Sequence, residues 1–161
     1  MFNLFWTAPK ERMFTPKENI NGAQFRSYST FEANIRQLIK DIRKDQGVPV
    51  LMTFAWNIPD NYSKDAFDRG TLGFNNPTNY DKCPVELWGP VDYVREGLHH
   101  NNGIIRKVAR EEAVPLLDQQ SRLGGDISNF GDIVHLSDEG TDRFVASIIE
   151  FFKTNKLIAA H

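Results

Sequence analysis

Asp132 and His135 are the two residues whose types and spacing point most directly to chemistry. They lie three residues apart in the segment 130–140, just before a predicted helix. In a tight turn this spacing lets the carboxylate accept the Nδ1–H of the imidazole, which fixes the tautomer and leaves Nε2 to take a proton from a hydroxyl. The pair is therefore a candidate general base. The alternative is a solvent-facing Asp beside a His that only packs or caps, and for so short a motif taken alone that alternative is the better interpretation.

Three short apolar runs predict the strands that would position this pair: 2–6, 48–54 and 113–117. The run 48–54 is nearly continuous, which is typical of a strand buried on both faces of a parallel sheet. In such sheets ligands bind beyond the carboxyl ends of the strands. The predicted ends, where we expect the chemistry, fall near Thr7, Ala55 and Asp118.

Helical spacing of apolar residues predicts three helices around these runs. The first begins at a Thr30 cap and ends at Gly47, the second starts at Pro90, and the last is capped by Ser137. The apolar faces expected in the core are, for the first and last helices, Phe31, Ile35, Leu38, Ile39 and Ile42, and Phe144, Val145, Ile148, Ile149 and Phe152. The alternation of strands and helices predicts an α/β fold with a parallel sheet.

The block Asp132-Ile-Val-His135, followed by Leu136 and Gly140, resembles the C-terminal Asp-x-x-His block of SGNH (GDSL-type) hydrolases. The resemblance implies a three-layer, flavodoxin-like parallel sheet. It also implies a Ser-His-Asp triad that cleaves carboxylic esters, either lipid-like esters or acetyl esters of carbohydrates. In that triad Asp132 would orient the imidazole, and His135 would act as general base and then as general acid.

The layout around the block extends the resemblance to roughly residues 25–155. The predicted helix and strand between 31 and 54 resemble the elements that precede the block in the family. Asn102 and Arg106, ahead of the strand that ends at Asp118, resemble its penultimate helix and last strand.

The family's Gly-Asp-Ser nucleophile block and its Gly-x-Asn-Asp block are absent from this sequence. The closest string, Gly124-Gly-Asp-Ile-Ser128, has an extra residue and a different place in the order of elements. The resemblance therefore implies one partial domain over 1–161, which begins near the family's third strand and lacks the serine and most of the oxyanion hole. We expect such a chain to be inactive alone, and to expose a sheet edge through which copies associate.

Composition excludes several other classes of protein. The chain has 161 residues, which predicts one domain, and 40% of them are hydrophobic, as in globular proteins. Nineteen basic against 21 acidic residues give a net charge of −2, so nothing indicates nucleic acid as a partner. No apolar run approaches the ~20 residues of a membrane span. No signal peptide is recognised after Met1, so this chain is expected in the cytoplasm unless residues precede it.

No cofactor and no metal are expected. Neither G-x-x-x-x-G-K-[ST] nor G-x-G-x-x-G occurs. His99 and His100 point about 100° apart on a helix, which favours a surface role. A metal site that joins Asp60 and His100 to the Asp132–His135 pair lacks any ligand spacing such as H-E-x-x-H.

The segment 57–89 is long and irregular, with several prolines and glycines. Cys83 lies in it and is predicted to be inert, since no paired His is recognisable from the sequence. Aromatic residues of this region either form the wall of an acyl or sugar pocket or pack the segment onto the sheet, and packing is favoured. These residues are Trp56, Tyr62, Phe67, Phe74 and Trp88.

Two functions from different classes fit these observations. The first is the C-terminal part of a serine ester hydrolase that acts on a small-molecule ester and carries only the Asp and His of its triad. The second is a non-catalytic α/β module that binds a ligand or a protein, in which the Asp-x-x-His spacing is incidental. The distance between the Asp132 carboxylate and the His135 imidazole distinguishes them.

Overall fold

A computed structural model describes residues 27–75 and 83–157 of the chain. The predicted strand 2–6 and Thr7 lie outside the described residues. Within them the helices and strands are α1 (Ser27–Lys44), β1 (Leu51–Met52), α2 (Lys64–Asp68), α3 (Val91–Glu111), β2 (Leu116–Leu117), α4 (Gln119–Leu123) and α5 (Asp138–Thr154), with 3-10 turns at Val85–Leu87 and Ile127–Asn129.

The predicted three-layer, flavodoxin-like sheet is wrong for the part of the chain that the structure describes. β1 and β2 do pair in parallel, with Leu51 opposite Leu116 and Met52 opposite Leu117. Among the described residues, however, the sheet has only these two short strands, and this part of the chain is mostly helical. The two apolar runs therefore lie side by side as expected, while the wide sheet does not form among the described residues.

Two local features explain why the ladder is so short. Pro49 and Pro115 stand ahead of the strands and have no N–H to donate, although the carbonyl of Pro115 accepts the Leu51 N–H at 3.0 Å. Beyond the two paired residues a side-chain hydrogen bond links the two segments: the Thr53 hydroxyl donates to Asp118 Oδ1 at 2.8 Å. Backbone pairing therefore gives way to side-chain hydrogen bonds within two residues of β1 and β2.

The run 48–54 is also not buried on both faces. Val48 is 65% exposed, Met52 43% and Phe54 51%, whereas Thr53 between the last two is buried. This alternation is the pattern of a strand with one covered face. A continuous apolar run cannot reveal which face its neighbours cover, and here the described helices cover one.

The first core cluster lies between α1 and α3, next to the sheet. Its buried residues are Ile35, Ile39, Ile104, Ile105, Val108 and Val114. The predicted face of α1 is only partly correct, because Leu38 is 60% exposed and Ile42 is 40% exposed. An ion pair between Arg36 Nη1 and Glu112 Oε1, at 2.8 Å, joins α1 to the end of α3.

The second core cluster lies under the irregular segment and holds it in place. Its buried residues are Trp56, Ile58, Phe67, Leu72, Val85 and Ile133, and Tyr62 and Phe74 pack against it. Four of the five aromatic residues therefore pack in the core, as favoured, but against a cluster whose described residues include none of β1 or β2, so packing onto the sheet is not what is found; Trp88 is 41% exposed. Ile133 is fully buried here, and since it lies between Asp132 and His135 it anchors their turn to the core.

Helix termini follow the predicted signals in part. The Ser137 hydroxyl caps α5 by accepting the Gly140 N–H at 3.0 Å, as predicted. Thr30 is not a cap, because α1 is already helical at Ser27. On α5, Val145 and Ile149 are exposed, contrary to the predicted face.

No helix among the described residues is long and apolar enough to cross a membrane, as the sequence predicted.

Candidate functional site

The structure brings Asp132 and His135 into direct contact. His135 Nδ1 lies 2.8 Å from Asp132 Oδ2. The Asp132 side chain is 3% exposed, whereas the His135 side chain is 60% exposed. The carboxylate is therefore held inside the protein, and the imidazole that it contacts is open to solvent.

Three backbone amides hold the Asp132 carboxylate in position, in addition to its contact with the imidazole. Asp132 Oδ1 accepts the N–H of Val134 at 3.0 Å and that of His135 at 2.8 Å, and Oδ2 accepts the N–H of Cys83 at 3.0 Å. The turn is closed by the Gly131 N–H, which donates to the His135 carbonyl at 2.8 Å. The i, i+3 spacing brings the two side chains together because the backbone of residues 132–135 turns around the Asp132 carboxylate.

These contacts decide the ionisation of Asp132. Burial by itself raises the pKa of this carboxyl, but the N–H donors of His135, Val134 and Cys83, together with the imidazole, outweigh it, so the pKa lies below its ordinary value. The carboxylate is thus negative at neutral pH and accepts the hydrogen bond from Nδ1–H. That bond leaves Nε2, the far nitrogen of the exposed ring, as the proton acceptor.

No serine hydroxyl is hydrogen-bonded to His135 among the described residues, which include all seven serines of the sequence. Ser137, the nearest in sequence, accepts from Gly140 N–H and donates to the Ser128 carbonyl at 2.8 Å. Both bonds belong to the start of α5, so Ser137 is a structural cap, as predicted.

Cys83 is a neighbour of the pair that the sequence did not reveal. One ligand atom from each of Cys83, Asp132 and His135 lies within 4.8 Å of the others. Cys83 is 49 residues from Asp132, so no local spacing could signal the contact. A thiolate, an imidazole and a carboxylate make a donor set of the zinc type. Each oxygen of Asp132 already accepts two hydrogen bonds, however, so a metal would have to displace Nδ1.

The other histidines considered do not join this cluster. The ring of His100 stacks on Tyr28 with centroids 3.8 Å apart, and that of His99 meets Trp56 edge-on at 4.8 Å. Both side chains are exposed, which confirms their surface position. Within the described residues, the one group with metal-ligating spacing contains neither His100 nor Asp60.

Asp118, at the carboxyl end of β2, forms a clamp of a different kind. Arg106 binds it through two bonds, Nε to Oδ2 at 2.8 Å and Nη2 to Oδ1 at 2.9 Å. The Arg106 guanidinium, with the Thr53 hydroxyl and the Ser121 N–H, holds the pKa of this carboxyl well below its usual range. Asp118 therefore joins α3 to both strands, and the hydrogen bonds that its carboxylate oxygens accept have a structural role.

We found no known protein family that matches the chain, and no curated protein or solved structure matches it either.

Proposed function

We propose that Asp132 and His135 are the carboxylate and imidazole of a serine ester hydrolase of the SGNH type, whose serine is supplied by sequence outside 1–161. The observation that carries this proposal is the 2.8 Å bond from Nδ1 to the buried, ionised Oδ2, with the ring exposed on its other side. A carboxylate that only faced the solvent would not be buried and hydrogen-bonded to three backbone N–H groups.

The geometry supports a defined sequence of proton transfers. The serine hydroxyl would give its proton to His135 Nε2 as its oxygen bonds to the ester carbonyl carbon. Asp132 stays ionised and stabilises the imidazolium. The imidazolium then returns the proton to the alcohol oxygen as the ester C–O bond breaks. A water molecule repeats the cycle on the acyl-serine and releases the acid.

The test uses hydrolysis of p-nitrophenyl acetate by two forms of the protein. Residues 1–161 alone should show no turnover above that of their His135→Gln variant. The longest natural form of the protein should show turnover that His135→Gln lowers on the order of 10³-fold or more. Labelling by a fluorophosphonate should then identify the serine outside this sequence.

Two results would contradict the proposal. Turnover by residues 1–161 alone that depends on His135 would place the nucleophile within this chain. Turnover by the longest natural form that His135→Gln leaves unchanged, or no turnover at all, would remove the catalytic role of the pair.

A second candidate function is a non-catalytic module that binds a ligand or another protein. The exposed apolar side chains of Val48, Met52 and Phe54 favour it, because an uncovered strand invites association. If copies associate through this strand, sedimentation equilibrium should show dimers or larger species that Met52→Lys converts to monomers. Monomers at all concentrations for both proteins would exclude self-association as its role.

A further inference from the structure

A cleft of about 380 Å³ adjoins the turn that carries the pair. Its lining includes Phe54, Trp88, Tyr93, Leu98, Asn101 and Val134. The volume falls within the range of small-ligand pockets, roughly 300–1,000 Å³. The cleft is therefore large enough to hold part of a small molecule.

One residue connects this cleft to the candidate site, and another places the cleft near the carboxyl end of β1. Val134 lines the cleft, and its N–H donates to Asp132 Oδ1 at 3.0 Å, so one residue forms part of the wall and part of the carboxylate's cage. Phe54 lines the cleft from just beyond the carboxyl end of β1. Ligands of parallel sheets bind at that end of the strands.

The lining indicates what the cleft accepts. Among the described residues that line it none has a charged side chain, and the side chains able to form hydrogen bonds are those of Asn101, Tyr93 and Trp88, the last through its indole N–H alone. Trp88 and Tyr93 leave 41% and 39% of their surface exposed. A sugar ring has several hydroxyls that each need a hydrogen-bond partner when they leave water, and this lining offers few. An aliphatic chain needs none and gains from apolar contact.

We propose that the cleft binds the aliphatic chain of a lipid-like ester, in preference to an acetylated carbohydrate. Binding of the chain follows from the cleft alone. The identification of the chain as part of an ester substrate rests on the proposed hydrolase function.

Isothermal titration of residues 1–161 tests the binding step without hydrolysis. Octanoate should bind, whereas acetate and methyl glucoside should give no measurable heat. Phe54→Ser should weaken octanoate binding about tenfold or more, because it removes one aromatic wall. Leu38→Ser, which truncates a similarly exposed apolar residue on α1, is the matched control and should leave binding unchanged.

The outcomes separate this proposal from the proposed function. Octanoate binding that Phe54→Ser does not weaken, no octanoate binding, or a preference for methyl glucoside would overturn the assignment of the cleft. Octanoate binding by a protein that hydrolyses no ester would leave the cleft assigned and contradict only the hydrolase.

Discussion

The side chain of Asn102 bonds both backbone polar groups of Phe54. Its Oδ1 accepts the Phe54 N–H at 2.9 Å, and its Nδ2 donates to the Phe54 carbonyl at 2.8 Å. The preceding amide, that of Thr53, donates to β2, so the Phe54 amide points to the other edge of the strand. Asn102 is 1% exposed and takes the place there of a neighbouring strand.

Replacing Asn102 with Ala should lower the free energy of unfolding by about 2–4 kcal/mol, because it leaves two backbone groups without their partner. Urea unfolding followed by circular dichroism measures the loss. Asn101→Ala is the control, since its side chain is only partly buried, and it should change stability by less than about 0.5 kcal/mol. Equal effects of the two variants would contradict a structural role for the Asn102 amide.

Replacement of Asp132 by Ala should lower the free energy of unfolding much more than replacement of His135 by Ala. Asp132→Ala removes the acceptor of three backbone N–H groups and should cost about 3 kcal/mol or more. His135→Ala removes a side chain that is 60% exposed and should cost less than about 1 kcal/mol. The same urea experiment compares them, and a cost for Asp132→Ala as small as that for His135→Ala would show that the carboxylate does not hold the turn.

The lowered pKa of Asp132 predicts how stability depends on pH. A carboxyl whose pKa is lower in the folded state stabilises the fold fully above its unfolded value of ~3.9 and loses that contribution as the pH falls through the folded value. Wild type should therefore exceed Asp132→Asn in urea midpoint at neutral pH, and the difference should shrink on acidification below pH ~4. A difference that stays constant over this range would contradict the lowered pKa.

Two glycines should respond in opposite ways to replacement by Ala. A Cβ on Gly140 would lie 1.9 Å from the Asn129 carbonyl oxygen, so Gly140→Ala should force the start of α5 away from the turn and cost more than about 2 kcal/mol. A Cβ on Gly103, within α3, meets nothing within 4 Å, so Gly103→Ala should stabilise the protein by about 0.5–1 kcal/mol. Thermal unfolding compares the two, and tolerance of Ala at position 140 would show that the helix start can shift freely.

Local structure was predictable from the sequence because local spacing encodes it. The helical periods predict α1, α3 and α5, the type and position of Ser137 predict a cap, and the contact between Asp132 and His135 needs only an i, i+3 turn. Each of these features depends on residues a few positions apart.

The burial of each apolar face was not predictable in the same way. Met52 and Val145 belong to apolar patterns that read as core, yet both are exposed, because exposure depends on which elements cover a face. Cys83 meets Asp132 across 49 residues of chain, a separation that no local spacing encodes. The predicted number of strands in the sheet is wrong for the same reason, since an apolar run indicates a strand but does not indicate which strands pair with it.

The three amides that bind Asp132 also bear on how much the site would have to rearrange in the proposed hydrolase reaction. Because protein donors already surround the buried carboxylate, little solvent has to reorganise around it when the imidazole gains a proton. The amide protons of Val134 and His135 should accordingly exchange with deuterium slowly, although they lie outside any helix or strand.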